Sequence, residues 1–245
     1  MQVHFQASQI LLESLYERYS ENAKQLIPLI RQDRTLSSFD SFNKRFKLSW
    51  GMEIEFTDSL SITKEDTRAC YILMLKISDL WFAFEHLVKT AADIIPKDED
   101  RNSNVNFYSS STMQMLEFDP ITLNFNQLLN NQVLHRSVWR REVYPFIQYL
   151  VRDTQGGTQR LIADALSHVQ ESRELQAKHI FALAYGIRNV YVHKGVAAAL
   201  GSKNYQVKRA FYLVMYDALI LYSLALGNAY CCKKLASYST VITQS

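Results

Sequence analysis

The sequence is poor in glycine and proline, the residues that punctuate strands and turns. It holds 7 Gly and 4 Pro among 245 residues, fewer than a protein of many short strands and turns would use. A hydrophobic content of 48% is sufficient for a large core. These features predict an all-α fold, in which long helices joined by a few loops form one large domain or a compact core with additional segments.

The sequence also has few cysteines and a small net charge. These two features argue against a disulfide framework or a structural zinc site, and against nucleic-acid binding by overall charge. The 3 Cys are Cys70 and the adjacent Cys231 and Cys232, which show neither CxxC spacing nor a paired framework. They predict reduced thiols in a cytoplasmic protein and no structural zinc site. The 27 basic and 24 acidic residues nearly balance, so a surface that binds nucleic acid has to be local.

The first residues, MQVHFQA, show no signal-peptide pattern, so we expect the protein to stay in the cytoplasm, where it is made. The stretch Ala210 to Ala229 is apolar and long enough to span a membrane, but Asp217 near its middle would be costly in lipid. We interpret this stretch as a buried core or dimer helix and expect no membrane partner.

Hydrophobic periodicity separates the N-terminal part of the chain from the rest. Within residues 1–62 it predicts an amphipathic helix over 7–32 and then an irregular extension, in which a short strand around Met52 to Phe56 is one alternative. Residues 236–245 are predicted to be a tail.

Residues 63–235 are predicted to form the main helical part of the chain. A central helix, apolar on most faces, starts at Thr63 or Asp66 and ends before Pro96. The polar and Asn-rich composition near residues 97–135 predicts a loop insertion.

Three more helices are predicted after this insertion. The first starts near Leu134 and breaks around Gly156-Gly157, the second continues from Thr158 to Gly195, and the last covers Asn204 to Leu235. Arg136 and Arg140 lie one turn apart on the first of these helices and therefore share a face. This pair is a modest basic patch.

The most informative stretch is the run from Arg188 to His193, which reads RNVYVH at the end of an apolar helix. A guanidinium group binds phosphate oxygens and an imidazole can transfer protons near neutral pH. Asn189 and His193 are four residues apart on one helical face, and the Arg188 side chain is long enough to reach them. The alternatives are a phosphate-handling site or a surface arginine beside a histidine that caps the helix.

Spacing alone does not separate these alternatives. Arg173 and His179 fit an equally loose pattern, but they lie in ESRELQAKHIF, where charged and apolar residues alternate as on a solvated helix face. The run at Arg188 differs because Asn189 follows the arginine directly, an apolar stretch precedes it and the helix is predicted to end within two residues.

The pattern of Arg-Asn, three residues and His at a helix end resembles the signature of the HEPN superfamily. The resemblance implies a bundle of four or five helices that dimerises so that two motifs face one cleft, commonly as a metal-independent endoribonuclease. Arg188 would then hold the phosphate, His193 would act in proton transfer or orientation, and Asn189 would position one of them. RNA would be the substrate, and an antitoxin or other regulatory protein a further partner, in defence or stress response.

The resemblance also implies supporting residues. The family often carries an acidic residue on an earlier core helix, and Glu85 within WFAFEHL, with Asp79 as a substitute, fits that description. A buried Glu85 needs a partner, which Arg188 would provide either in catalysis or as a structural salt bridge. Tyr191 and Lys194 are expected to support the site.

The match to the family is incomplete at one position. A toxin subset of the family has Tyr two residues after the His, where this chain has Gly195. Regulation through that tyrosine is therefore not expected. Arg136 and Arg140 are the residues that we expect to contact RNA outside the motif.

Neither a metal nor a cofactor is predicted. His86 has no second ligand three or four residues away, and His168 and His179 would lie three turns apart on one continuous helix. Gly156-Gly157 lacks the Lys-Ser or Lys-Thr of a phosphate loop. The alternative to an RNA-cleaving enzyme is a non-catalytic, all-helical dimeric interaction module.

Overall fold

A computed structural model of the protein describes residues 9–32, 37–55, 65–91, 116, 118–194 and 204–242. These residues form an all-α fold, as predicted, and contain no strand. The helices are α1 (Gln9–Gln32), α2 (Ser37–Gly51), α3 (Glu65–Thr90), α4 (Phe118–Leu128), α5 (Ser137–Asp153), α6 (Gly156–Gln170), α7 (Ala177–Lys194) and α8 (Tyr205–Ile242). One π-helical turn, Leu129–Leu134, continues α4.

Helices α3 and α8 form the centre of the bundle. α3 packs against α8, α2 and α7, and α1 lies on the other side of α8. By length and composition α8 could cross a membrane, and it is the only such helix among the described residues, but 94% of its apolar window is buried within the fold. The central position of α3 and the interpretation of Ala210 to Ala229 as a buried core helix are therefore confirmed.

The N-terminal helices belong to the same core. Tyr19 of α1 and Phe42 of α2 are buried in one cluster with residues of α3 and α8. The ring of Tyr19 packs so closely on Gly227 that an added Cβ would lie 2.7 Å from it. α8 continues to Ile242, so most of the predicted tail is helical. The exact domain boundaries stay predictions.

The segment that was predicted to be irregular contains α2. Its aromatic residues Phe39, Phe42 and Phe46 follow helical spacing and are buried. Its lysines, Arg45 and Ser41 are exposed on the outer face, whereas Ser49 is buried. Met52 to Glu55 have no regular structure, so the alternative of a strand is wrong for these residues, and Phe56 lies outside the described ones.

The prediction of a loop near residues 97–135 is wrong for the second half of this segment. Residues 118–134 are helical, and Phe118, Ile121 and Phe125 bury their side chains in the core. The asparagines that suggested a loop are part of these helical turns, and Asn126 is buried. Of the first half of the predicted insertion, only Leu116 belongs to the described residues.

The single helix predicted from Thr158 to Gly195 is interrupted. Residues 171–176 separate α6 from α7, and Ser172 has a left-handed backbone with φ of 57°. The buried amide of Asn126 fixes this turn, because its Nδ2 donates to the carbonyl of Leu175 at 2.8 Å and its Oδ1 accepts the Leu175 N–H at 2.8 Å. Gly195 lies outside the described residues.

The interruption reverses the chain, so that α6 and α7 pack against each other. The rings of His168 and His179 consequently lie with their centroids 4.6 Å apart. The expectation that three helical turns separate these two histidines is wrong.

Candidate functional site

Arg188, Asn189 and His193 come together near the C-terminal end of α7. Nη1 of Arg188 donates to Oδ1 of Asn189 at 2.8 Å and contacts Nε2 of His193 at 3.2 Å. Arg188 and Asn189 are half-buried and His193 is exposed. An arginine can only donate, so Nε2 of His193 accepts in this arrangement and a neutral ring carries its proton on Nδ1.

An aromatic ring from α3 supports the guanidinium group. The guanidinium carbon of Arg188 lies 4.4 Å from the ring centroid of Phe82 and 6.0 Å from that of Tyr185, within the range of cation–π attraction. Nε of Arg188 is buried without a hydrogen-bond partner. Stacking on Phe82 therefore fixes the plane of the guanidinium group, while Nη1 holds Asn189 and His193.

Phe82 also connects this site to a second cation. The guanidinium carbon of Arg45, on α2, lies 5.1 Å from the same ring centroid. Phe82 and Arg45 line a cavity of about 330 Å³. The remaining lining residues are Ser41, Phe42, Glu85, His86 and Lys89. An open cavity with three basic side chains and one carboxylate thus adjoins the site.

The two predicted acidic residues have different surroundings. Glu85 is half-buried in the lining of this cavity rather than enclosed by aromatic rings. The Arg188 guanidinium group contacts Asn189, His193 and the two aromatic rings, and its expected ion pair with Glu85 stays a prediction.

Asp79 connects α3 to α2. Its Oδ1 accepts from Nε and Nη2 of Arg45 at 3.1 and 2.8 Å, and its Oδ2 accepts from the hydroxyl of Ser49. These bonds hold Arg45 beside Phe82. Asp79 consequently positions a cation at the cavity and does not contact Arg188.

The other supporting residues are less involved. Tyr191 is half-buried and packs against the hydrophobic core. Lys194 is the last residue of α7, and its side chain lies outside the described residues. Sequence reasoning missed Phe82, Arg45 and Lys89. The sequence had no local signal for them, because only the packing of α2 and α7 on α3 brings Phe82 to the motif.

Arg136 and Arg140 lie away from the motif. Arg136 stacks on Trp139 at 5.1 Å, and Arg140 donates to Oγ of Ser172 at 3.3 Å and to the carbonyl of Leu134 at 3.4 Å. Ser172 precedes the N-terminus of α7, and α7 rises about 17 Å from its first residue to Arg188. The two arginines therefore lie near the opposite end of this helix and do not form one pocket with the motif.

A second polar cluster lies in the turn between α6 and α7. Nε2 of buried His179 contacts Oδ2 of Asp164 at 2.8 Å, and Nε2 of His168 lies 3.8 Å from Oδ1 of the same carboxylate. The hydrogen bond from His179 lowers the pKa of Asp164. Burial lowers the pKa of His179 despite the nearby carboxylate, which favours a neutral ring beside an ionised Asp164.

This second cluster also contains an arginine–histidine contact. Nη1 of Arg173 lies 3.2 Å from Nε2 of His168, the same distance as that between Arg188 and His193. The contact itself therefore does not identify a catalytic site. The features that distinguish the Arg188 site are Asn189, the stacked Phe82 ring and the adjacent cavity.

Comparisons with protein-family models, curated proteins and solved structures find no match to this chain. The resemblance to the HEPN superfamily accordingly depends on the motif itself and stays a prediction.

Proposed function

We propose that this protein is a HEPN-like RNA-binding protein that cleaves RNA as a metal-independent endoribonuclease in defence or stress response. The observation that carries the proposal is the convergence of Arg188, Asn189 and His193 at a helix end where His193 is exposed. A phosphate-binding group and a proton-transfer group beside each other are what cleavage by a ribose hydroxyl requires.

In the proposed reaction the ribose 2'-hydroxyl attacks the adjacent phosphorus atom. The phosphate draws the Arg188 guanidinium group away from His193, which frees Nε2 to accept the hydroxyl proton. The 2'-oxygen–phosphorus bond forms, the phosphorus–5'-oxygen bond breaks, and a protonated His193 of a second copy gives its proton to the 5'-oxygen. The products are a 2',3'-cyclic phosphate and a 5'-hydroxyl.

The surrounding residues support RNA binding near the motif. Phe82 keeps the guanidinium group in one orientation, which reduces the conformational entropy lost when the phosphate binds. Arg45 and Lys89 line the adjacent cavity, where they would attract the neighbouring phosphates of a single strand. Asn189 keeps its amide oxygen on Arg188 and so positions the guanidinium group.

The test is cleavage of labelled single-stranded RNA in EDTA. We expect the wild-type protein to produce fragments that end in a cyclic phosphate, and His193→Ala to reduce the rate by about 10²–10⁴-fold, the usual contribution of a general acid–base group. Arg188→Ala is expected to abolish measurable cleavage. Arg173→Ala is the matched control, because it removes an arginine with the same contact to a histidine and should leave the rate unchanged.

Two further outcomes decide the mechanism. A substrate with a single 2'-deoxyribose at the cleaved position should resist cleavage at that position. If the wild-type protein is folded and dimeric but cuts no RNA of a diverse panel in EDTA, or if His193→Ala cuts as fast as the wild type, the proposed enzyme function is wrong.

The burial of the arginine favours a second candidate function, a non-catalytic dimeric interaction module. Nη1 of Arg188 already binds two side chains, its Nε is buried and its plane rests on Phe82. Such contacts also stabilise a helix terminus. This function predicts that Arg188→Ala lowers the free energy of unfolding or weakens the dimer, and that no RNA is cut.

A further inference from the structure

The turn between α6 and α7 gathers three side chains that commonly bind metal ions. Asp164 and His168 are four residues apart on α6 and share a face, and His179 comes from the first turn of α7. One ligand atom from each of the three lies within 4.8 Å of the other two. A small contraction would bring these atoms around one ion, since zinc binds imidazole nitrogen and carboxylate oxygen at about 2.0–2.2 Å.

We propose that Asp164, His168 and His179 form a binding site for a divalent transition metal of the zinc class, which connects α6 to α7. Two imidazoles and one carboxylate suit Zn²⁺, Co²⁺ or Ni²⁺ and are a poor set for Mg²⁺ or Ca²⁺, which prefer oxygen ligands. Asp164 and His168 are partly exposed, so water can complete the coordination. The site lies at the opposite end of α7 from Arg188 and is independent of the proposed ribonuclease.

His168 already has the orientation of a metal ligand. Its Nδ1 lies 2.7 Å from the carbonyl oxygen of Glu174. This carbonyl can only accept a hydrogen bond, so Nδ1 carries the proton and Nε2 offers its lone pair to the cluster. Metal-binding histidines usually donate their second nitrogen to a carbonyl or carboxylate in this way.

His179 has to change its tautomer when the metal binds. Its Nδ1 accepts the N–H of Gln176 at 3.1 Å, and its Nε2 therefore carries the proton that contacts Asp164. Coordination through Nε2 moves this proton to Nδ1. Asn126 holds the Leu175 carbonyl of the same peptide unit, so this N–H stays in place and the His179 ring has to turn slightly away from it. The loss of one hydrogen bond lowers the affinity by roughly tenfold and does not prevent binding.

Two cations compete with the metal. Nη1 of Arg173 lies 3.2 Å from Nε2 of His168, and Nζ of Lys178 lies 3.9 Å from Oδ2 of Asp164. The Arg173 side chain is about half exposed and also pairs with Glu171, so it can turn toward solvent. Removal of Arg173 should consequently strengthen metal binding, an outcome that a purely structural hydrogen-bond network does not predict.

The experiment is a titration of the untagged full chain, freed of metal by chelation, with Zn²⁺ in a calorimeter and with Co²⁺ by visible absorption. We expect one ion per chain. His168→Gln and Asp164→Asn should each weaken binding at least tenfold, and Arg173→Gln should tighten it severalfold. His135→Gln is the matched control, because it removes an exposed histidine outside the cluster.

His179 is fully buried, and replacing it could unfold the protein, so it is not replaced. Circular dichroism verifies that the other variants are folded. The proposal is overturned if the folded wild-type chain binds neither ion at 100-fold molar excess. It is also overturned if His168→Gln and Asp164→Asn bind as tightly as the wild type. Cleavage of RNA in EDTA is a separate readout, so failure of one proposal leaves the other to be judged by its own experiment.

Discussion

The replacement Phe82→Leu tests whether the aromatic ring organises the candidate site. Leucine keeps an apolar side chain at this half-buried position of α3 but removes the ring face on which two guanidinium groups lie. Arg188 is the closer, at 4.4 Å, and Arg45 the more distant, at 5.1 Å. The ring is thus expected to stabilise Arg188 more than Arg45.

The size of the effect follows from distance and burial. A cation–π contact contributes about 0.5–1 kcal/mol at an exposed site and more where the groups are desolvated. Arg188 is half-buried, which favours about 1 kcal/mol, whereas the Arg45 side chain is 49% exposed and should contribute about 0.5 kcal/mol or less. With the smaller apolar volume of leucine, we expect Phe82→Leu to lower the free energy of unfolding by about 2 kcal/mol.

Urea unfolding followed by circular dichroism measures these energies in two double-mutant cycles. One cycle combines Phe82→Leu with Arg188→Gln, and the other combines it with Arg45→Gln. The coupling energy should be about 1 kcal/mol in the first cycle and smaller in the second. A coupling energy near zero between Phe82 and Arg188 would refute the reasoning, as would a larger coupling to Arg45.

Two further predictions concern buried polar groups. Asn126→Ala removes both hydrogen-bond partners of the Leu175 backbone and should lower the free energy of unfolding by about 2–4 kcal/mol. Urea unfolding measures this loss, and Asn131→Ala, at an exposed position of the π-helical turn, is the control. An equal loss of stability in both variants would contradict this account. Burial lowers the pKa of Lys208 from 10.5 to about 8. Between these values the unfolded chain binds more protons than the folded one, so this lysine makes stability rise with pH from 8 to 10.5. Lys208→Met should raise stability at pH 7 and remove this contribution; an unchanged difference from the wild type across that window would contradict it.

The all-α fold could be predicted because scarce glycine and proline and long apolar periodicity act together. The helix α2 was visible in the spacing of Phe39, Phe42 and Phe46, but the serines and charged residues between them were interpreted as interruptions. Ser41, Lys44 and Arg45 are exposed on the solvent-facing side of the same helix. The spacing of the apolar residues was therefore a better guide to this helix than the polar residues between them.

The turn at 171–176 had no local signal of that kind. It contains neither glycine nor proline, and Ser172 adopts a conformation that non-glycine residues seldom use. The bonds from Asn126 on α4 hold this turn, and that contact connects residues far apart in the chain. Local spacing thus predicted the meeting of Arg188 with His193, but it could not predict either the Phe82 ring below Arg188 or the second histidine cluster.

The packing of α1 on α8 has a consequence for the synthesis of the protein. Nδ2 of Asn22 donates to Oδ1 of Asn228 at 2.8 Å, and the Tyr19 ring occupies the space beside Gly227. At about 5–20 residues per second, a ribosome needs roughly 10–35 s to proceed from the end of α1 to the start of α8. During that time the apolar face of α1 lacks its main partner, so the nascent chain depends on chaperones or on its contacts with α2 until its last long helix emerges.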